Sequence, residues 1–282
     1  MQAQAASVAD ERDESGWHAR LHLGLRVING RTVLAERRRF GPLAVQRPFY
    51  PEDGVCHIYL LHPPGGVVGG DGLRIDVRVG AGAEALLTTP GATKFYRSGG
   101  ARASQIQHLV VEDGATLEWL PQENIFFPGA NVRLHTRVDL ASSARILLSE
   151  LQCLGRPAIN ETFDTGRVDS SIEIYRNGVP TLLERLRVDA DNRGRSALLG
   201  GFAVSGTLIV GPADDAQLAT CRQRLVTSTT DSVGATRVDD LLVVRYLGNS
   251  TQRAHALFRG IWERLRPDVL GKPACPPRIW AT

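Results

Sequence analysis

Three stretches repeat one pattern, a small-residue turn, then alanine, then an apolar strand: Ala83-Glu84-Ala85-Leu86-Leu87, Ala115-Thr116-Leu117-Glu118-Trp119-Leu120 and Ala144-Arg145-Ile146-Leu147-Leu148. They recur at intervals of 32 and 29 residues. A spacing of that size lays similar strands beside one another in a coil, as β-helical structures do. From Leu21 to about Val210 the chain consists of short alternating or wholly apolar runs broken by Gly, Pro, Asn and Asp, which is strand patterning and not helix patterning. The predicted fold is mainly β, a helical, β-helix-like arrangement of many short strands. A two-sheet sandwich is the other arrangement this patterning allows.

The last quarter differs. Asp214 to Leu225 and Thr251 to Arg266 read as α-helices, each behind an apolar strand-like run, Thr207 to Val210 and Leu241 to Leu247. In the second, Ala254, Leu257, Phe258, Ile261, Trp262 and Leu265 fall on one stripe, with Ser250 or Thr251 as the cap and Pro267 as the expected stop. The expected organisation is a disordered tail over 1–17 and a single domain over 18–282. That domain has a β body over about 18–211 and a helix-containing part over about 212–282, with two helices packed near the C-terminus.

Thirty-three basic against thirty acidic residues give a formal charge of +3, well short of a nucleic-acid-binding footprint. No apolar run approaches the roughly 20 residues of a membrane-spanning helix. Ala3 to Gly16 is polar with no apolar stretch behind it, so it does not read as a signal peptide. A soluble, cytoplasmic protein is expected, with no membrane or nucleic-acid partner. Cys56, Cys153, Cys221 and Cys275 are scattered without metal-site or disulfide spacing and read as reduced thiols.

The stretch from Gly41 to Gly72 is the most specific segment. Val55 to Leu61 is a β-branched and aromatic run ended by Pro63-Pro64-Gly65-Gly66, where two prolines remove donors and two glycines permit positive φ. Gly69-Gly70-Asp71-Gly72 then surrounds one carboxylate, which either hydrogen-bonds the turn amides or serves a ligand. Gly80-Ala81-Gly82-Ala83-Glu84-Ala85 imitates a dinucleotide fingerprint, but Thr88, Thr89, Pro90 and Gly91 interrupt any helix able to hold a pyrophosphate. Gly91-Ala92-Thr93-Lys94 lacks the order of a phosphate loop. Cys56 and His57 point to opposite faces of a strand, and Cys56 and His62 stand roughly 20 Å apart on one face. No tight metal site is expected, although one built across strands stays open.

Carboxylates on apolar faces carry more weight. Glu150 shares strand parity with Ile146 and Leu148, Glu184 with Leu182, Leu186 and Val188, and Glu118 with Thr116 and Leu120. An inward carboxylate is costly unless it is paired, hydrogen-bonded, hydrated or bound to a cation. Two readings follow: pairing with Arg156, Arg185 and Arg187, which are near in sequence, or a hydrated passage lined by Asp71, Glu118, Glu150 and Glu184 through which a divalent cation moves. A glycosidase using Glu118 and Glu123 is the competing enzymatic reading. Pro121 between them and the absence of an aromatic platform for a sugar weigh against it.

Gly41-Pro42-Leu43 with Val45-Gln46-Arg47-Pro48-Phe49-Tyr50-Pro51, and His62-Pro63-Pro64-Gly65-Gly66 with Gly69-Gly70-Asp71, closely resemble the urease accessory protein UreD (UreH) family. So do Thr88 to Ser98, which includes Lys94, Tyr96 and Arg97, Leu117 to Glu123, Phe126 to Ala130, Leu154 to Pro157 and Pro277 to Trp280. The resemblance spans about Leu21 to Thr282. It implies a non-enzymatic maturation factor that binds urease apoprotein and UreF, and through UreF the GTPase UreG, so that nickel reaches the urease active site. A dimeric assembly within that accessory complex belongs to the same expectation. The resemblance also implies a helical β fold with two α-helices, an internal tunnel for transient nickel(II) with Asp71, Glu118, Glu150 and Glu184 as way stations, and no tightly bound cofactor. A pure adaptor without nickel contact is the alternative.

Overall fold

The offsets of 32 and 29 residues are ladder registers. In a computed structural model describing residues 16–225 and 230–281, Glu84 pairs with Thr116 and Thr116 with Arg145, so the alanine before each strand takes the same place in successive coils. Ala83, Ala115 and Ala144 are all fully buried there, where a larger side chain would not fit between stacked turns.

The chain opens with an antiparallel pair, β1 (His18–Ile28) and β2 (Arg31–Phe40), and a two-residue strand, β3 (Ala44–Val45). From β4 (Cys56–Leu61) it coils. One turn comprises β5 (Gly72–Val79), β6 (Glu84–Thr88) and β7 (Thr93–Phe95), and the next β8 (Ala103–Val111), β9 (Thr116–Trp119) and β10 (Asn124–Phe126). The third comprises β11 (Asn131–Leu140) and the long β12 (Arg145–Arg156), which pairs with both β9 and β10. After β13 (Glu161–Thr162), β14 (Arg167–Arg176) lies parallel on β11, and β15 (Val179–Asp189) turns back as a hairpin. The expected β coil is thus a β-solenoid of about four turns.

Two walls result. A seven-stranded sheet runs β15-β14-β11-β8-β5-β1-β2, and its opposite wall contains β4, β6, β9 and β12. The second wall is extended by β16 (Val204–Gly211). Helix α1 (Asp215–Arg224) follows, then β17 (Ser232–Val238), β18 (Leu241–Gly248) and helix α2 (Thr251–Leu270). Because β18 pairs with β16, the wall continues past residue 212, and the C-terminal segment is part of the same sheet.

Each helix starts where expected: Asp214 and Gln217 form a reciprocal capping box on α1, and Ser250 Oγ accepts the Arg253 N–H on α2. Pro267 is not the stop. It lies inside the last turn of α2, which runs on to Leu270 and ends at Gly271, whose φ of 68° is the left-handed conformation that glycine adopts without strain. A proline so near a helix end removes one donor and leaves the next carbonyl usable, and its own carbonyl accepts the Gly271 N–H at 2.9 Å.

The molecule has two apolar layers. One lies between the walls and includes Leu117, Trp119, Ile146 and Leu148; the other lies between the second wall and the helices and includes Leu86, Leu120, Leu147, Phe258, Ile261 and Trp262. Each fully buried large side chain contributes about 1.5–3 kcal/mol, so the stripe of α2 holds the helix firmly to the wall. Of the expected tail, 1–15 lie outside the described residues. Trp17 is described, and its carbonyl accepts the Gly72 N–H at 2.9 Å.

Candidate functional site: a polar cavity between the walls

Ladder registers place the side chains of the cavity. On the second wall, Glu150 pairs with Thr207 and Thr207 with Arg245, forming one row across β12, β16 and β18. On the seven-stranded wall, Gln107, Thr136, Ile172 and Glu184 form one row across β8, β11, β14 and β15. The rows face each other. Thr136 Oγ1 donates to Glu150 and Arg245 donates to Glu184, so the opposed walls touch at two polar points. Between them lies a cavity of about 410 Å³ lined by Glu150, Gln152, Ser170, Glu184, Thr207 and Arg245, among others.

Glu150 also lines a smaller space of about 40 Å³ with His62, Thr93, Gln105, Gln107 and Asn124. It is therefore common to both linings. Its carboxylate accepts from Thr136 and, at 3.4 Å, from Gln152 Nε2, and no arginine or lysine among the described residues pairs with it. Burial pushes its pKa up to about 7, opposed by the Thr136 hydrogen bond and reinforced by the field of Glu184. Burial also raises Glu184, against the pull of Arg245. Gln152 Oε1 and Trp119 Nε1, which line the larger and smaller spaces respectively, are buried without a partner.

Asp71 does not line either cavity, but its field acts on His62 of the smaller one, whose pKa burial lowers and Asp71 opposes. Its oxygens accept the N–H groups of Trp17 and Val68, each at 2.9 Å, so it does the work of a turn aspartate. Glu118 lies elsewhere. It points to the helix side of the second wall, where Arg266 Nε and Nη2 reach it at 2.9–3.1 Å and Trp262 Nε1 donates at 2.6 Å. Arg266 is fully buried and also meets Glu52, whose pKa burial would raise but hydrogen bonds from His57 and Arg266 bring down to about 2. Glu118 and Glu123 do not face one substrate, since Glu123 is held by His255 at 2.7 Å.

The arginines expected to neutralise these acids have other partners: Arg156 bonds Glu161, while Arg185 and Arg187 lie against Asp169. The actual partners, Arg266 and Arg245, are 148 and 61 residues away from Glu118 and Glu184 in sequence. Sequence reading missed them because nothing local marks a buried helix arginine; its position one residue beyond the apolar Leu265 was the one available signal.

The motif residues build the surface beside the smaller cavity. Pro63 and Pro64 begin a turn closed by the Gly65 N–H on His62 O, Gly69 packs on Ser98, and Gly70 donates to Arg102 O at 3.2 Å. Lys94 is exposed on β7, Arg97 packs on Gly129, and the Tyr96 ring packs at a tilt of 46° on Phe127 with centroids 4.8 Å apart. A Cβ at Gly66 would overlap the Tyr96 ring. The substitution Gly66→Ala is expected to push that ring off Phe127 and cost about 1–3 kcal/mol; urea denaturation measures it, and an unchanged midpoint would show the ring moves freely.

The architecture defines a β-solenoid protein with a polar cavity between its walls, lined by two glutamates and two arginines. Among the described residues, no group of three or more His, Cys, Asp or Glu side chains is placed to hold a metal ion, and no helix is long and apolar enough to cross a membrane. Residues 18–281 match the family of the UreD urease accessory protein. The chain is 48% identical over 273 residues to the urease accessory protein UreD of Alcanivorax borkumensis, covering 95% of this chain and 93% of that protein. It is 48% identical over 273 residues to that of Escherichia coli, at 95% and 98% coverage, and 45% identical over 282 residues to one from Pseudomonas putida, at 100% of both. The chain belongs to the UreD family of urease accessory proteins, which gives it a part in urease maturation.

Proposed function

We propose that this chain is a non-enzymatic nickel conduit and scaffold of urease maturation, acting on urease apoprotein in a complex with UreF and, through UreF, the GTPase UreG. Nickel(II) is its cargo and not a resident cofactor. The observation that carries this reading is Glu150, a buried carboxylate that lines two cavities and has no cationic partner among the described residues. A buried charge in that position is stabilised by a passing cation better than by anything its own walls supply.

The ligand chemistry fits transit. Glu184 and Glu150, the Thr136 and Ser170 hydroxyls and the unpartnered Gln152 Oε1 offer oxygen ligands, with room for water in about 410 Å³. Oxygen ligands and exchangeable water release an ion more readily than a closed four-ligand site. The proposed route runs from Glu184 past Glu150 and the amides of Gln107 and Asn124 toward His62 and Asp71. Glu118 is left out of it, because its side chain faces the helix layer. We also propose one functional unit over 18–282 and a cytoplasmic location, the compartment of the proposed partners.

The chain is expected to co-purify with UreF, UreG and urease apoprotein and to support activation with nickel, bicarbonate and GTP. Glu150→Ala and Glu184→Ala should assemble normally while lowering urease activation by an order of magnitude or more. Full activation by both variants would favour the pure adaptor. No activation above a mixture lacking this chain would overturn the maturation role.

A further inference from the structure

Arg245 is the odd member of the cavity. Leu241 and Val243 share its strand parity and pack in the layer between the walls, so its backbone position aims the guanidinium into the inter-wall space. It crosses to Glu184 on the opposite wall, so one ion pair spans the walls among the residues that line the cavity. The two partners are unequally held: the Arg245 side chain is 48% exposed and that of Glu184 19%. The guanidinium can swing into water at little cost, whereas the carboxylate must stay with the cavity. Asp169 on β14 alternates with the inward Val168 and faces the outer side of that wall, where Arg185 holds it through two hydrogen bonds at 2.7 and 2.9 Å, so it does not compete for this space. Glu184 is therefore the first carboxylate of the cavity that a cation can claim, and Arg245 is already there.

We infer that Arg245 is a tethered counter-ion that keeps divalent cations off Glu184 until a carboxylate on a docking partner draws the guanidinium away. This inference rests on the reading of the cavity as a cation passage and adds its control. With the arginine in place, a metal ion meets a neutralised carboxylate. With the arginine on the partner, Glu184 is free to ligate, and Glu150 waits in the same cavity as the next anionic oxygen donor. The same movement makes opening conditional on docking, so that an ion enters where it can be passed on. The partner is recognised by its chemistry: an acidic side chain presented at the rim beside Arg245, with Arg185, which also lines the cavity and is about half exposed, as a further cationic contact.

The test is nickel(II) binding to the isolated full-length chain by equilibrium dialysis, comparing wild type, Arg245→Gln, Glu184→Gln/Arg245→Gln and Arg245→Lys. If the ion pair is open in about a tenth of the molecules, removing the guanidinium tightens apparent binding about tenfold. The double variant should lose that gain, because the freed carboxylate is gone. Arg245→Lys, a point charge without the planar fork, should gain less than Arg245→Gln, and it serves as the folded comparison if the glutamine variant does not fold. Equal affinities in wild type and both Arg245 variants would overturn the inference, as would a gain that survives Glu184→Gln. Neither urease nor any partner enters this measurement, so equal affinities remove the arginine gate while leaving the maturation role standing.

Discussion

Replacing Glu118 with alanine is expected to cost about 3–5 kcal/mol of folding stability, the largest loss of any single substitution considered for this chain. The reason is what remains behind. Arg266 has no solvent exposure and would keep only Glu52 and the Pro273 carbonyl as partners, while the Trp262 N–H would lose its acceptor altogether. Burial alone disfavours a charged Arg266, but the hydrogen bonds it donates to Glu52 and Glu118 raise its pKa, so it cannot escape the loss by giving up its proton. An orphaned indole N–H adds about 1–3 kcal/mol. Urea denaturation of wild type, Glu118→Ala, Glu118→Leu, Arg266→Met and Glu118→Leu/Arg266→Met resolves the contributions, the last three closing the cycle. The double variant should be more stable than the sum of the singles by several kcal/mol, because apolar groups of similar volume replace a buried ion pair at small net cost. A loss below about 1 kcal/mol for Glu118→Ala, or strict additivity, would mean that water or Glu52 compensates the guanidinium.

This cluster also marks where the sequence stops being legible. The solenoid registers could be read because stacking turns need a small residue at the corner, and Ala83, Ala115 and Ala144 record it locally. Glu150 and Glu184 were correctly assigned to the inner face by parity with Ile146 and Leu148 and with Leu182, which all lie between the walls. The same rule misplaced Glu118. All four residues of β9 are buried, since that strand has the inter-wall layer on one side and α2 on the other. Period-two patterning separates two faces, but it names the inner one only when the other meets water. Leu120, the parity partner of Glu118, belongs to the helix layer, a fact fixed by how α2 folds back over the wall more than a hundred residues later. The reach of Arg245 across the cavity and of Arg266 beneath the helix has the same origin. Contacts between distant segments leave no spacing to read, and only the expectation that a buried carboxylate needs a partner pointed toward them.

Glu150→Gln is expected to stabilise the protein at alkaline pH while impairing its work. In the folded chain the Glu150 carboxyl titrates at about 7 because of burial, and in the unfolded chain near the ordinary value of about 4.3. The folded state therefore holds this proton more tightly than the unfolded state. The resulting stability is fully present below the unfolded value and is lost as pH rises through about 7. Each pKa unit corresponds to about 1.4 kcal/mol, so the full difference is on the order of 4 kcal/mol, reduced by whatever water the cavity admits. Glutamine removes the titration and keeps the shape. Its carbonyl can accept from Thr136, and its new N–H group finds the unpartnered Gln152 Oε1 within the same cavity. Urea denaturation at pH 5.5 and 8.5 should therefore find the variant's advantage larger by roughly 2 kcal/mol at the higher pH, because pH 5.5 already lies above the unfolded value and part of the carboxyl's contribution is lost there. Other titrating groups are common to both proteins and cancel in the difference. A gap that does not change with pH would mean that Glu150 is ionised at an ordinary pKa and already solvated. A gap that opens with pH, in a variant that also supports less urease activation, would mean that this carboxylate is kept at the expense of the fold for the sake of the cation that passes it.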